Sequence, residues 1–272
     1  MTIKLLAIDL DGTLLNSHKE ISQANHDALH FAHQNGVKVV ICTGRPYLAM
    51  KNLVDQIGLN TADDYIITYN GGQVHAANDG SIIVSHTLSK QNVLDWYYQL
   101  NALGLPISVI DQTTIYEPSP DLAVAKSEYI ERTQTTLPLE IVDFNQFHSD
   151  HVFNKLVVST DADYLDSKIP LLDSHLLQNF SVFKSRPFLL EVVAAGVTKG
   201  NTLKQLGDYL SIEPHEMMTI GDQENDLSMI NLAGVGVAMG NAIPEVKSQA
   251  DFISLDNDQD GVAHAIYHFI GK

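Results

Sequence analysis

The stretch Ile3-Lys4-Leu5-Leu6-Ala7-Ile8-Asp9-Leu10-Asp11-Gly12-Thr13 decides how the chain is read. Ile3 to Ile8 is apolar apart from Lys4, and it is short enough to be one buried strand of a parallel sheet. Two carboxylates follow, one residue apart, with a glycine directly behind them. An unpaired buried carboxylate is strongly destabilising, so both acids need partners, and a cation would serve both. In parallel α/β sheets, ligands bind beyond the carboxyl ends of the strands. Asp9 and Asp11 are expected at such an edge, although Asp-x-Asp alone also fits an Asx turn or a solvated loop.

The 272 residues suffice for one large domain or two ordinary ones, and a composition 44% hydrophobic and 18% charged builds a core readily. Lys+Arg number 16 against 33 Asp+Glu, a formal net charge of -17. That balance argues against nucleic acid or an anionic membrane as partner, since both want a basic face. An anionic substrate would need positive charge supplied by the site itself. The one cysteine, Cys42, lies in an apolar run and reads as a small buried hydrophobe, with no disulfide within the chain. Asp9 and Asp11 interrupt any signal-peptide core, and no apolar run has the length of a membrane span, so a soluble cytoplasmic protein is the expectation.

Outward from the first strand the pattern is β-α-β-α-β. Ser22 caps a helix expected over residues 23–35, and a strand over 37–41 ends in Thr43-Gly44-Arg45-Pro46, a short strand-to-helix turn with free amides. A helix over 47–56 precedes a third strand, 65–69, that ends in Asn70-Gly71-Gly72. This order predicts a doubly wound parallel sheet. The rhythm then changes to hairpins and helices: a hairpin around Asn78-Asp79-Gly80, a helix over 89–103, short strands over 107–110 and 114–117, a strand over 154–159, a helix over 161–178, and strands over 182–185 and 188–193. Alternation returns at Thr198, which caps a helix running to Leu210 with Lys199 in its first turn. A helix dipole disfavours a cation there, so Lys199 is expected to be kept for another purpose. A strand over 217–220 ends in Gly221-Asp222-Gln223-Glu224-Asn225-Asp226. The expected fold is α/β: a Rossmann-like, doubly wound core of residues 1–84 and 189–272, with an α+β module inserted at 85–188.

Strands far apart in sequence thus end in polar turns carrying Asp9 and Asp11, Thr43 and Gly44, and Asp222, Asn225 and Asp226, with Lys199 opening a helix beside them. Several carboxylates and one lysine make a hard-cation site, because Mg2+ takes oxygen ligands and keeps waters and a substrate phosphate. Thr43 and the Gly44 amide would hold phosphate oxygens, and Lys199 would bridge phosphate and carboxylate.

The segments Asp9-Leu10-Asp11-Gly12-Thr13-Leu14-Leu15, Thr43-Gly44-Arg45-Pro46, Lys199-Gly200 and Gly221-Asp222-x-x-Asn225-Asp226 resemble, in order and over nearly the whole chain, the four motifs of the haloacid dehalogenase-like hydrolases. The insertion resembles the type IIB cap of the Cof subfamily, and Ile67-Thr68-Tyr69-Asn70-Gly71 resembles its sugar phosphatases. The resemblance implies an Mg2+-dependent phosphatase acting on a small phosphorylated metabolite, most often a sugar phosphate. Asp9 would be the nucleophile that becomes an aspartyl phosphate, and Asp11 the general acid/base. Mg2+ would be held by the Asp9 carboxylate, the Asp11 backbone carbonyl and Asp222. The Leu10 amide, Thr43, Gly44, Lys199 and Asn225 would hold phosphate. Asp226 would support Lys199 or the metal, and Arg45 would either contact substrate or brace its turn. Closure of the cap would exclude water, with flexion near residues 84–88 and 186–190.

Other features read blandly. His26, His30 and His33, like His264 and His268, share helical spacing without a nearby acid constellation, which fits a solvated face better than zinc. Trp96-Tyr97-Tyr98 point different ways on a helix and read as core plus surface, and Asp121, Glu128 and Glu131 as a solvated face. Rival readings are a phosphomutase on the same fold, a non-catalytic phosphosugar sensor, and a signalling receiver domain. The last is disfavoured by the Asp9-x-Asp11 spacing and by the insertion.

Overall fold

A computed structural model describes residues 2–58, 61 and 64–271. The chain divides into two compact units, Met1–Ser85 together with Thr198–Lys272, and His86–Val197. The first unit opens with β1 (Leu5–Asp9), α1 (Gln23–Gln34), β2 (Lys38–Cys42), α2 (Lys51–Ile57), β3 (Tyr65–Thr68) and the antiparallel pair β4 (Gln73–Ala76) and β5 (Ile82–Ser85). Ser22 caps α1 by accepting the Asn25 N–H. The helix expected over 47–56 opens instead as a 3-10 turn, Tyr47–Ala49, behind the extended Pro46.

The second unit is one continuous stretch. It runs through β6 (Leu88–Ser89), α3 (Lys90–Leu103), β7 (Ser108–Ile110), β8 (Ile115–Pro118), α4 (Tyr129–Thr133), β9 (Leu139–Val142), β10 (Val152–Phe153), β11 (Lys155–Ser159), α5 (Ala162–Lys168), α6 (Ser174–Asn179), β12 (Phe180–Arg186) and β13 (Leu189–Ala194). Its main sheet has the order β12-β13-β11-β7-β8-β9, while β6 pairs with β10. Trp96 and Leu100 of α3 pack on Val109, Leu156, Val158 and Val192 of the sheet. Trp96 and Tyr97 are buried and Tyr98 is exposed, as expected of three consecutive helical residues.

Three expectations are corrected here. The insertion ends at Val197, not at 188, because β12 and β13 form one antiparallel pair and β13 also pairs with β11. The stretch 186–190 is therefore a hairpin turn inside the unit, not a link between units. The single helix expected over 161–178 is broken: Pro170 opens a 3-10 turn at Ile169–Leu171, and Asp173 then caps a new helix by accepting the His175 N–H.

The chain returns to the first unit through α7 (Lys199–Leu210), β14 (Met217–Gly221), α8 (Leu227–Ile230), β15 (Val235–Ala238), α9 (Pro244–Gln249), β16 (Phe252–Ile253) and α10 (Gly261–Phe269). The sheet order is β16-β15-β14-β1-β2-β3-β4-β5, parallel from β16 to β3. Both faces are covered. Leu6 and Ile8 of β1 join Ala28 and Leu29 of α1, while Leu5 and Ala7 join Leu203 and Leu206 of α7. From β1 the chain moves to β2 and β3 on one side, and it returns at β14 on the other. The strand order therefore reverses between β1 and β14, and the crevice beyond their carboxyl ends is the ligand position of such sheets. Among the described residues, no helix is long and apolar enough to cross a membrane.

Candidate active site

Asp9 ends β1 and Asp222 follows directly after β14, so the switch point itself brings two acids together. The loop after β1 is tied back by Leu14 N–H to the Asp9 carbonyl and Leu15 N–H to the Leu10 carbonyl. Gly12 sits in that loop at φ +89°, and a Cβ there would lie 2.6 Å from Asp222 Oδ2. Only glycine meets both demands, the left-handed backbone and the close carboxylate. Thr13 Oγ1 donates to Asp222 Oδ1 at 3.0 Å, which fixes that carboxylate against the loop.

Lys199 is the first residue of α7, behind the Thr198 cap, and its side chain is fully buried. Its Nζ donates to Asp9 Oδ1 at 2.5 Å and to Asp226 Oδ1 at 2.6 Å. The other Asp226 oxygen accepts the backbone N–H groups of Asp222 and Gln223 at 2.9 and 3.0 Å. Asp9, Asp222 and Asp226 each offer a carboxylate oxygen within 4.8 Å of the others, all buried. One lysine does not balance three buried carboxylates. Burial raises the Asp9 carboxyl well above its ordinary value, with Asp226 and Asp222 adding repulsion that Lys199 only partly offsets. Burial and then Asp226 push Asp222 up to about 6. Burial by itself would lower the Lys199 ammonium, but Asp226 and Asp9 hold it well above its usual range. An oxygen-rich, acid-excess cluster of this kind fits a divalent cation.

Asp11 lies in different surroundings. Arg45 grips it with a two-pronged fork, Nε to Oδ2 at 2.8 Å and the terminal nitrogen to Oδ1 at 2.7 Å, and Lys19 Nζ adds a bond of 3.0 Å. Burial would raise this carboxyl, but the Arg45 fork and Lys19 hold it well below the usual carboxylate range. Arg45, read in the sequence as either contacting substrate or bracing its turn, holds Asp11 here.

Thr43 and Gly44 follow β2. The amides of this turn are less free than expected: Thr43 N–H donates to the Ile67 carbonyl at 2.8 Å, and Arg45 N–H to Thr43 Oγ1 at 3.1 Å. Leu10 is buried in the core, so it bears on the site only through its backbone. Asn225 is turned to Asn70, with Nδ2 donating to Asn70 Oδ1 at 2.9 Å. The structure thus gathers Asp9, Asp222, Asp226 and Lys199 tightly, with Thr43, Gly44 and Asn225 linked to them through Asn70 and the β14 turn. Sequence reasoning assigned no role to Asn70, Thr13 or Lys19. Asn70 did carry a signal, a polar residue at a strand end before two glycines, like the other turns. Lys19 carried none, since its turn looked like any solvated loop.

The fold and this switch-point cluster define a class, and comparison with known proteins agrees with it. The model of the haloacid dehalogenase-like hydrolases matches residues 6–266, and the chain belongs to that family. It is an enzyme, a phosphoric monoester hydrolase. The Bacillus subtilis protein YxeH is 36% identical over 267 residues, 98% of each chain. The 5-amino-6-(5-phospho-D-ribitylamino)uracil phosphatase YwtE of Bacillus subtilis is 32% identical over 287 residues, 97% of each chain. Among solved structures, the subclass IIB sugar phosphatase BT4131 superposes with a TM-score of 0.80 at 25% identity, covering 98% of each chain.

Proposed function

We propose that the protein is an Mg2+-dependent phosphatase of small phosphorylated metabolites, chiefly sugar and polyol phosphates, that works through an aspartyl phosphate on Asp9. The observation that carries this reading is the acid excess at the switch point, with Asp9 held by a fully buried lysine at the end of the first strand. The relatives support the substrate class: one is named for a phosphorylated ribityl compound and another for sugar phosphates. Asp9, Asp222 and the Asp11 carbonyl would hold the cation, which when bound neutralises charge on the phosphoryl oxygens.

In the first displacement an Asp9 carboxylate oxygen bonds to phosphorus while the ester P–O bond breaks, and the leaving alkoxide takes a proton from Asp11. In the second, water bonds to phosphorus and gives its proton to Asp11, the Asp9–phosphorus bond breaks, and inorganic phosphate leaves. Lys199 keeps Asp9 oriented throughout, and Asp226 keeps Lys199 in place. Asp11 must be freed before it can carry a proton, because Arg45 and Lys19 hold it ionised. A phosphate dianion is the ligand that competes for both cations.

The test is release of inorganic phosphate from a panel of sugar, polyol, nucleotide and cofactor phosphates, with Mg2+ and with excess EDTA. Metal-dependent release is expected, and Asp9→Asn should lower it by at least about 10⁴-fold with thermal unfolding unchanged. Conversion of a hexose phosphate to its isomer without free phosphate would replace the reading by a mutase. Near-normal turnover in Asp9→Asn would remove the nucleophile.

A further inference from the structure

Asn70 is one of the described non-glycine residues with a left-handed backbone, and it lies beside the acid cluster's turns. It follows β3 in the left-handed region, φ 57° and ψ 32°, between Tyr69 at φ 51° and Gly71 at φ 107°. Left-handed backbone is disfavoured for L residues, and asparagine tolerates it better than most. The side chain is 1% exposed. Its Oδ1 accepts from Asn225, which leaves Nδ2 with its two N–H donors directed elsewhere, and Nδ2 has no hydrogen-bond partner. A buried amide nitrogen without an acceptor is rare in folded proteins and asks for a ligand.

The place it points to is defined. The Asn70 N–H donates to the Thr43 carbonyl at 3.0 Å and the Tyr69 N–H to the Arg45 carbonyl at 3.3 Å, so the two turns are stitched together. A Cβ on Gly44 would lie 2.8 Å from Asn70 Nδ2. The free donor therefore lies against the Thr43–Gly44 turn, and any side chain at position 44 would displace it.

We infer that Asn70 binds substrate: its Nδ2 donates a hydrogen bond to a phosphoryl oxygen held at the Thr43–Gly44 turn. This rests on the proposed phosphatase reading, which places a phosphate there. Asn70 orders the site twice, gripping the phosphate through Nδ2 and steadying Asn225 through Oδ1.

Two variants separate binding from scaffolding. Asn70→Asp keeps the left-handed tolerance, the volume and the acceptor for Asn225, but it removes the donor and adds negative charge. Asn70→Gly keeps only the backbone. Inorganic phosphate is titrated calorimetrically into the full-length, Mg2+-loaded protein, alongside thermal unfolding and steady-state kinetics. Asn70→Asp should weaken phosphate binding about 10- to 100-fold, the span of one charge-assisted hydrogen bond. KM should rise with it while the folded fraction is unchanged, and Asn70→Gly should show the smaller loss. A folded Asn70→Asp that binds phosphate like wild type overturns the assignment; if that variant does not fold, wild-type affinity in Asn70→Gly overturns it equally. Wild-type protein that neither binds phosphate nor releases it from any ester overturns this inference together with the reading beneath it, whereas wild-type binding with unaltered variants overturns Asn70 alone.

Discussion

Among the described residues two lysines are buried, one in each unit, and their company differs. Lys155 on β11 is 2% exposed and donates to Glu191 on β13 at 2.7 Å. Glu191 also accepts the Ser185 hydroxyl, and the Lys155 ammonium lies 5.7 Å from the centre of the Tyr129 ring. Burial would lower the ammonium there, but Glu191 faces it directly and, with Tyr129, holds it above its usual value. Lys199 meets Asp9 and Asp226 directly, with Asp222 beside them. Both pairs carry the cost of taking charge out of water. The second sets three acids against one lysine, an excess of one sign that a divalent cation would balance. Charge balance, more than burial, separates the Lys155 pair from the proposed site around Lys199.

The largest expected effect tests that separation directly. Lys199→Met should lower kcat/KM by roughly 10³-fold or more, since it removes a fixed charge next to Asp9, the proposed nucleophile. Lys155→Met should cost about 3–5 kcal/mol of stability by stranding Glu191, while turnover per folded molecule is kept. Replacing both Lys155 and Glu191 by apolar residues should recover most of that stability. Urea unfolding and initial rates decide it, and equal losses of turnover at the two lysines would break the comparison.

A smaller effect sharpens it. Asp222 is pushed up to about 6, so between about pH 4, where an unfolded Asp titrates, and about pH 6 the folded chain holds a proton the unfolded chain has lost. That contribution to stability therefore falls as pH rises through this window and is gone above it. Asp9, also raised, acts in the same direction. Asp11 acts oppositely: its lowered carboxyl stabilises above about pH 4, and that share is lost as pH falls below it. Mg2+ should raise the melting temperature more at pH 7.5 than at pH 5, and Asp222→Asn should flatten the difference. A gain that is independent of pH would mean the cation does not bind these acids. The smallest expected effect concerns Cys42, which pairs with Asp9 across β1 and β2 and whose thiol burial pushes up to about 12. Iodoacetamide at pH 8 should leave it unmodified in the native protein and alkylate it in urea, as mass spectrometry would report.

The sequence made the first unit legible because its strands are continuous apolar runs that end abruptly in polar turns. Lys199 stood out for the same local reason, a cation at the wrong end of a helix. What stayed hidden was pairing at long range. Nothing near Asp11 announces Arg45, and nothing near Asn225 announces Asn70. In the second unit, Leu139–Val142 escaped notice because the strand is largely exposed and has no hydrophobic contrast. The sequence pattern places the far boundary of the insertion too early because β13 is as apolar as a core strand, and its partners β11 and β12 lie upstream of it.

The position of β1 has a consequence for how the chain is made. Leu5 pairs with Met217, so the central strand acquires its second neighbour only when β14 has been synthesised. At about 5–20 residues per second, roughly 10–40 s separate the two on the ribosome. The inserted unit is continuous and meets its own core partners by Val197, ahead of that moment. Until then β1 has one open edge. In the growing chain that unpaired strand edge is the point where a chaperone or a misfolding partner would take hold.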